Sequence, residues 1–252
     1  MKELLIIVLA SLLWVIHGSA QETGTVKDSR DGKTYKTVKI GDQWWMAENL
    51  GYLPKVSPSS EPEFVFPPSS DTLSTEKFYY VYDYEGTNIS KAKATDIYIS
   101  CGVLYNFEAA TTACMAGWHL PSDEEWKTLE RYLGMASSES DEGGKPDSNN
   151  FRNSGDVGKK LKSISGWIDE GNGNNRSGFN ALPGGTRLYY GEGFDRYGQD
   201  AIFWSSSINE SRKAWSPFSP WYRMIYYTSD GVWRGHTNLN SGFSVRCVKD
   251  AP

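Results

Sequence analysis

A cysteine, a histidine and three consecutive acids lie close together in the stretch CMAGWHLPSDEEWKTLERYLG, residues 114–134. Thiols, imidazoles and carboxylates supply the nucleophiles, general bases and general acids of many enzymes. The acids also have a structural interpretation. Ser122 and Glu125 have the spacing of a capping box at a helix start, and Asp123 and Glu124 then face the positive end of the helix dipole. No catalytic partner occurs at a recognisable spacing, so the sequence favours the structural role.

The histidines of this chain are too few for a histidine-based metal site. There are three, and His17 lies in an apolar N-terminal segment, which leaves His119 and His236. A zinc site takes three or four protein ligands. We therefore predict that His119 is a core or interface residue. We name no catalytic residue, and the sequence favours a protein that is not an enzyme.

Three cysteines, Cys101, Cys114 and Cys247, follow the N-terminal segment. In an oxidising compartment two of them pair and one is left over, in a role that stays open. A bridge from Cys114 to Cys247 would tie the first predicted helix to the last predicted strand. Its competitor joins Cys101 to Cys114, but a helix between these two would separate them by roughly 15 Å, which is too far for a disulfide.

The N-terminus has the pattern of a secretory signal peptide. Lys2 precedes an apolar run that ends at Ile16, and small residues follow as far as Ala20. We predict that residues 1–20 are cleaved near Ala20 and that the mature chain is secreted or faces outward on the cell envelope. The run is shorter than the about 20 residues of a bilayer span. No later stretch is apolar enough to cross a membrane, so we predict no transmembrane segment after cleavage.

Residues 21–252 are predicted to form a single α+β domain. It begins with a β-hairpin that turns at Asp31-Gly32, and a loop rich in Pro and Ser follows at 51–77. Apolar spacing predicts one helix at 104–113 and a second that starts after Pro121-Ser122 and stops at Gly134. Returning strands are predicted at 78–84, 202–207, 221–227, 231–234 and 243–248.

Six stretches of this chain resemble, in order, those of the Fibrobacter succinogenes major paralogous domain family of secreted Fibrobacteres and Bacteroidetes proteins. They are DGKTYKTVKIGDQWWMAENL, GVLYNFEAA, CMAGWHLPSDEEW, GFNALPGG, FWSSS and GFSVRCVKD. The family is similar to the C-type-lectin-like fold, in the branch of the formylglycine-generating sulfatase-modifying enzymes. The resemblance implies two helices packed on a twisted, loop-rich antiparallel β core, and it also suggests the Cys114–Cys247 pairing.

The chain differs from the enzyme branch at the residues that carry the chemistry of those enzymes. Formylglycine-generating enzymes bind copper through a pair of cysteines near the C-terminal end, and this region here holds Cys247 alone. The Glu-Pro-Asn, Gln-Pro-Asp and Trp-Asn-Asp patterns of calcium-dependent lectins are also missing from the sequence. The resemblance therefore implies a fold and leaves the activity open.

Oxygen-bearing side chains lie between glycines in DEGNGNN, residues 169–175. Calcium takes six to eight oxygen ligands, so Asp169, Asn172 and Asn174 are the ligands of a candidate structural calcium site. Asn-Gly runs are also common turns that bind no ion. No other cofactor is predicted.

Aromatic residues are concentrated in WSPFSPWYRMIYY, residues 215–227. Aromatic and Arg side chains are enriched at interfaces, so the candidate ligand contacts are Trp215, Phe218, Trp221, Tyr222 and Arg223. For the three residues Trp215, Phe218 and Trp221, a place in the core is an equal alternative. Met224 and Tyr226 are predicted to be core residues.

The net charge of −5 argues against a nucleic-acid partner, because such proteins carry a basic face. We predict a secreted or cell-surface module, without catalytic activity, that binds a glycan or a protein. An enzyme with an unrecognised site and a structural protein of the cell envelope remain the alternatives.

Overall fold

Short strands and short helices make up the computed structural model, which describes residues 21–62, 75–143, 152–189, 193–210 and 219–251. The strands in these ranges are β1 (Thr23–Lys27), β2 (Thr34–Ile40), β3 (Gln43–Met46), β4 (Tyr79–Tyr80), β5 (Leu104–Tyr105), β6 (Trp118–His119), β7 (Gly184–Arg187), β8 (Phe194–Tyr197), β9 (Asp200–Ile208), β10 (Pro220–Tyr226), β11 (Trp233–His236) and β12 (Val248–Lys249). The α-helices are α1 (Ile89–Lys93), α2 (Asp96–Cys101), α3 (Phe107–Ala110), α4 (Asp123–Tyr132), α5 (Ser137–Ser140) and α6 (Val157–Leu161). The α+β class is confirmed, and the predicted signal segment, residues 1–20, lies outside the described residues.

The largest sheet brings together strands from distant parts of the chain. Its five strands run in the order β1-β2-β3-β12-β6, and each neighbouring pair is antiparallel. Val248 of β12 lies opposite Trp45 on one side and His119 on the other. A second sheet has the order β11-β10-β9. The end of the described chain is thus held between an N-terminal hairpin and the strand before α4.

Helix α4 forms where the sequence predicts it. The Ser122 hydroxyl accepts a hydrogen bond from the Glu125 backbone N–H, and the Glu125 carboxylate accepts one from the Ser122 backbone, which completes the capping box. Trp126 and Leu129 are buried one turn apart. The chain leaves the helix at Gly134, where a φ of 111° favours glycine.

The other predicted helix, at 104–113, is wrong in its first part. Leu104 and Tyr105 form β5, which pairs with β4, and Tyr105 also bridges to Phe243. Only Phe107–Ala110 is helical, after Asn106, whose side chain accepts the Ala109 N–H at 3.0 Å. The apolar spacing suited a helix, but pairing with two distant segments placed this backbone in a strand.

The predicted strands are largely in place, although their bounds differ. β9, β10 and β11 cover most of the three predicted segments between 202 and 234. Of the segment 78–84 only Tyr79–Tyr80 is a strand, and of 243–248 only the last residue belongs to one, β12. The predicted loop at 51–77 is irregular where it is described, yet Leu53 and Val56 are buried, so its first part packs into the core.

Aromatic rings fill the interior between α4 and the sheets. The ring centroids of Trp45 and Trp126 are 4.8 Å apart, and those of Trp126 and Phe203 are 5.8 Å apart. Each of these side chains is at most 1% exposed. This packing fixes the start of α4 against β3. The residues on the outer side of this contact form the candidate functional site.

Candidate functional site

The Cys114–Cys247 disulfide is confirmed. The two Cα atoms are 5.9 Å apart, and the bridge joins the segment before β6 to the segment before β12. Cys101 is a free, buried thiol. Burial raises its pKa, which reduces its reactivity because the thiolate is the nucleophile.

His119 is partly exposed, which corrects the core part of its predicted role, whereas a place in an interface stays a prediction. Its side chain is 41% exposed. Nε2 lies 2.7 Å from Glu125 Oε1, and Nδ1 lies 2.6 Å from Asp250 Oδ1. Burial lowers the pKa of His119, but the hydrogen bonds to Asp250 and Glu125 outweigh that effect, so the pKa is raised. The imidazole therefore joins β6 to the start of α4 and to the residue after β12.

Glu125 has two structural tasks at this point. Its Oε2 accepts hydrogen bonds from the backbone N–H and the hydroxyl of Ser122, both at 2.8 Å, while Oε1 contacts His119. Its carboxylate is therefore fixed at both oxygens. A general acid or base must exchange a proton with a substrate, so Glu125 is better suited to accept a hydrogen bond than to catalyse.

A groove of about 450 Å³ opens beside this histidine clamp and is called here the Trp44 groove. Trp45 faces the core, and its neighbour Trp44 in β3 faces outward, as the alternation of a strand requires. The groove combines one partly exposed indole with three acids and two lysines. Its lining residues are Lys39, Asp42, Gln43, Trp44, Glu125, Val248, Lys249, Asp250 and Ala251.

Two further acids of α4, Asp123 and Glu130, belong to a buried ion-pair network. Asp123 pairs with Arg223 at 2.8 Å and with Arg234 at 2.6 Å. Burial raises the pKa of Asp123, but hydrogen bonding and charge from the two arginines outweigh it and hold the pKa well below its usual range. The same balance lowers the pKa of Glu130, which pairs with Arg152 and Arg223. These acids hold the second sheet against α4, which agrees with a structural role.

The aromatic segment at 215–227 is divided by the structure. Trp215 and Phe218 lie outside the described residues. Trp221 is half-buried, and the Arg234 guanidinium lies 3.6 Å from its ring centroid. Tyr222 packs on Phe243 with centroids 5.2 Å apart. These contacts make Trp221 and Tyr222 part of the packed second sheet.

Arg223 is fully buried and ion-paired to Asp123 and Glu130. Its guanidinium faces the interior and is not accessible to a ligand. This corrects the prediction that Arg223 is a ligand contact. Met224 and Tyr226, which were predicted to be core residues, are both half-buried, and Met224 packs against the main core.

The candidate calcium loop is exposed at all three predicted ligands. The side-chain oxygen of Asn172 accepts the Trp167 N–H at 3.2 Å, and that of Asn174 accepts the Arg176 N–H at 3.1 Å. The bond of Asn174 is that of an asparagine turn, and the bond of Asn172 joins the loop to the backbone five residues earlier. Within the described ranges, no three His, Cys, Asp or Glu side chains are grouped to hold a metal ion. Calcium binding by Asp169, Asn172 and Asn174 stays a prediction.

The Trp44 groove was missed in the sequence because its residues come from positions 39–44, 125 and 248–251. One signal was present. Two adjacent tryptophans in a strand cannot both face the core, since neighbouring side chains point to opposite faces. An outward tryptophan at the start of the chain was therefore foreseeable, whereas its acidic neighbours were not.

Comparison with known proteins gives the family of this chain. The family described as the Fibrobacter succinogenes major domain matches residues 38–249. The chain belongs to this family. Neither the curated proteins nor the solved structures that were searched gave a match. Among the helices of the described ranges, none has the length and apolar character to cross a membrane.

Proposed function

We propose that this protein is a carbohydrate-binding module without catalytic activity, and that the Trp44 groove holds the sugar. One observation carries the proposal: a partly exposed indole lies in a groove together with two carboxylates, those of Glu125 and Asp250, that His119 holds in place. Fixed polar groups around an aromatic surface lower the entropy cost of binding, because little has to be ordered when the ligand arrives.

The mixture of groups in the groove suits a polyhydroxylated ligand. A sugar ring presents apolar C–H groups that can pack on the face of Trp44. Its hydroxyls both donate and accept, so they can donate to Asp42 or Asp250 and accept from Lys249. A strongly cationic or anionic ligand would meet charges of both signs here, and the like charges would oppose it.

The setting of the domain supports an extracellular role. The Cys114–Cys247 bridge is a type of bond that persists in oxidising compartments, and the N-terminal segment has the signal-peptide pattern. The proposal includes the C-type-lectin-like fold implied by the resemblance, a fold that includes sugar-binding members. Sugar binding here would not use the calcium motifs of those lectins, which the sequence lacks.

Screening residues 21–252 on a glycan array, followed by calorimetry with the glycans that bind, tests the proposal. We expect Trp44→Ala to weaken binding by about tenfold or more, which corresponds to about 1.4 kcal/mol. Tyr197→Ala is the matched control, because it removes an exposed aromatic ring elsewhere on the surface. Circular dichroism verifies that both variants fold. The proposal fails if no glycan binds, if Trp44→Ala binds as wild type does, or if the protein turns over a bound glycan.

A further inference from the structure

A second groove lies next to the first. It has a volume of about 540 Å³ and is called here the Tyr132 groove. Lys39 lines both grooves. Gly41 lines the second and Asp42 the first, so the two adjoin across the turn between β2 and β3. Residues from four parts of the chain line the Tyr132 groove: Gln21, Glu22, Lys39, Gly41, Tyr132, Leu133 and Arg176.

Tyr132 provides this groove with its own aromatic surface. The side chain is 64% exposed at the end of α4. Gly41 has a φ of 62°, and a Cβ atom built on it would lie 3.0 Å from Tyr132 Cδ2. The glycine therefore allows the turn to take its left-handed conformation and allows the tyrosine ring to pack directly against it. Trp44 and Tyr132 are in this way placed on the two sides of one turn.

The charges of the two grooves differ. Acids outnumber lysines in the Trp44 groove. In the Tyr132 groove, Lys39 and Arg176 face a single acid, Glu22, which lies 3.5 Å from Lys39 Nζ. Arg176 is exposed, and in the described part of the chain its guanidinium has no hydrogen bond or ion pair. The Tyr132 groove thus has a cationic group that is available to a ligand.

We propose, resting on the function proposed above, that the two grooves are consecutive subsites for one oligosaccharide chain that bears an anionic group. A sugar without charge lies on Trp44. The carboxylate or sulfate of a neighbouring sugar lies in the Tyr132 groove, within reach of Arg176 and Lys39. Guanidinium groups bind carboxylates and sulfates through paired N–H donors. The acids of the Trp44 groove would repel an anionic sugar there. This repulsion determines which groove takes the charged sugar and so the direction in which the oligosaccharide lies.

Calorimetry on residues 21–252 with three probes of matched length tests this assignment. Two are anionic chains in which a charged sugar alternates with an uncharged one: hyaluronan oligosaccharides, which carry carboxylates, and kappa-carrageenan oligosaccharides, which carry sulfates. The third is a neutral chain, agarose oligosaccharides. We expect the anionic probes to bind more tightly than the neutral one, with the preference falling as salt is added. Arg176→Gln should reduce the anionic preference roughly two- to fivefold, as expected for one exposed ion pair, and leave the neutral probe unchanged. Carboxylate and sulfate sources are distinguished by which anionic probe binds more tightly.

Two further variants separate the possible failures. Tyr132→Ala should weaken the binding of disaccharides and longer chains, and it should leave monosaccharides, which occupy the Trp44 groove alone, unaffected. Arg131→Gln is the charge control, since Arg131 lies on α4 but does not line either groove. If Trp44→Ala abolishes binding while Arg176→Gln and Tyr132→Ala change nothing, the two-subsite assignment is wrong and the proposed function stands. If no probe and no array glycan binds, both are wrong.

Discussion

Asp250 Oδ1 lies 2.6 Å from Nδ1 of His119, and the other nitrogen of the same ring lies 2.7 Å from Glu125. A carboxylate can only accept a hydrogen bond, so both ring nitrogens must carry protons when both bonds are formed. The clamp beside the Trp44 groove is therefore complete only while His119 is an imidazolium. This requirement makes the clamp sensitive to pH.

We expect His119 to stabilise the fold at acidic pH and to lose this effect as the pH rises. The folded pKa is raised above its usual value, so the stabilisation is complete below about pH 6 and disappears as the pH passes the folded pKa. Urea unfolding of wild type and His119→Gln measures it: the difference between them should be larger at about pH 5.5 than at about pH 9. Lys249→Gln is the control, and a difference independent of pH would contradict the clamp.

Glu130 should be the acid whose loss is most costly to stability. It is fully buried between Arg152 and Arg223, with oxygen–nitrogen distances of 2.7 and 2.6 Å. Glu130→Gln removes the acid that is ion-paired to the buried Arg152 and one of the two acids paired to Arg223, which we expect to destabilise the protein by about 3–5 kcal/mol. Glu124→Gln, on the exposed side of the same helix, should cost about 0.5 kcal/mol or less. Equal effects of the two variants in urea unfolding would contradict this role of the network.

Asp200 should destabilise the fold at neutral pH. It is fully buried, and within the described ranges neither of its oxygens has a hydrogen-bond partner. Burial raises its pKa to about 7, although the charge of Arg196 opposes the rise. Unfolded aspartate loses its proton near about pH 4. Between these values the unfolded state holds fewer protons, so the free energy of unfolding falls as the pH rises.

In Asp200→Asn the side chain at position 200 is neutral at every pH. We expect it to be more stable than wild type at about pH 8, and the gain to shrink towards about pH 4. The control is Asp230→Asn, whose side chain is half-exposed and whose charge does not act on Asp200. Urea unfolding over this range tests the prediction, which is rejected if Asp200→Asn is less stable than wild type at the higher pH.

The disulfide should contribute more to stability than any single hydrogen bond. It closes a loop with a sequence separation of 133 residues, for which loop-closure entropy gives about 4–5 kcal/mol. We expect the Cys114→Ala/Cys247→Ala double variant to lose up to this amount in urea unfolding, while Cys101→Ala, which removes one buried sulfur, should lose about 1 kcal/mol. Peptide mapping without reductant should give a Cys114–Cys247 peptide and a Cys101 peptide with a free thiol.

Features with local causes were predictable from the sequence. The capping box at Ser122 and the stop at Gly134 depend on residues within one helix, and the structure has both. The segment at Leu104–Tyr105 shows the limit. Its apolar spacing is helical, but its backbone pairs with Tyr79–Tyr80 and with Phe243, and spacing within one segment contains no information about such partners.

The candidate site was less predictable than the fold. Trp44, Glu125 and Asp250 are brought together only by the order of the strands in the first sheet. The buried arginines show the same limit. The sequence places Arg223 among the ligand contacts because aromatic and arginine side chains are enriched at interfaces. Its burial follows from two acids on α4 that are about a hundred positions away.

The position of β12 between β3 and β6 also makes the first sheet dependent on one short strand. Without Val248, the hairpin of β2 and β3 and the strand β6 have no strand between them to join them in this sheet. The second half of the disulfide, Cys247, and the groove residues Lys249 and Asp250 emerge together with that strand. Sheet, bridge and groove therefore all depend on residues 247–250, and none of the three is complete before these residues are in place. Such dependence on distant contacts is typical of slow folding, and it keeps the site unformed until the last strand is in place.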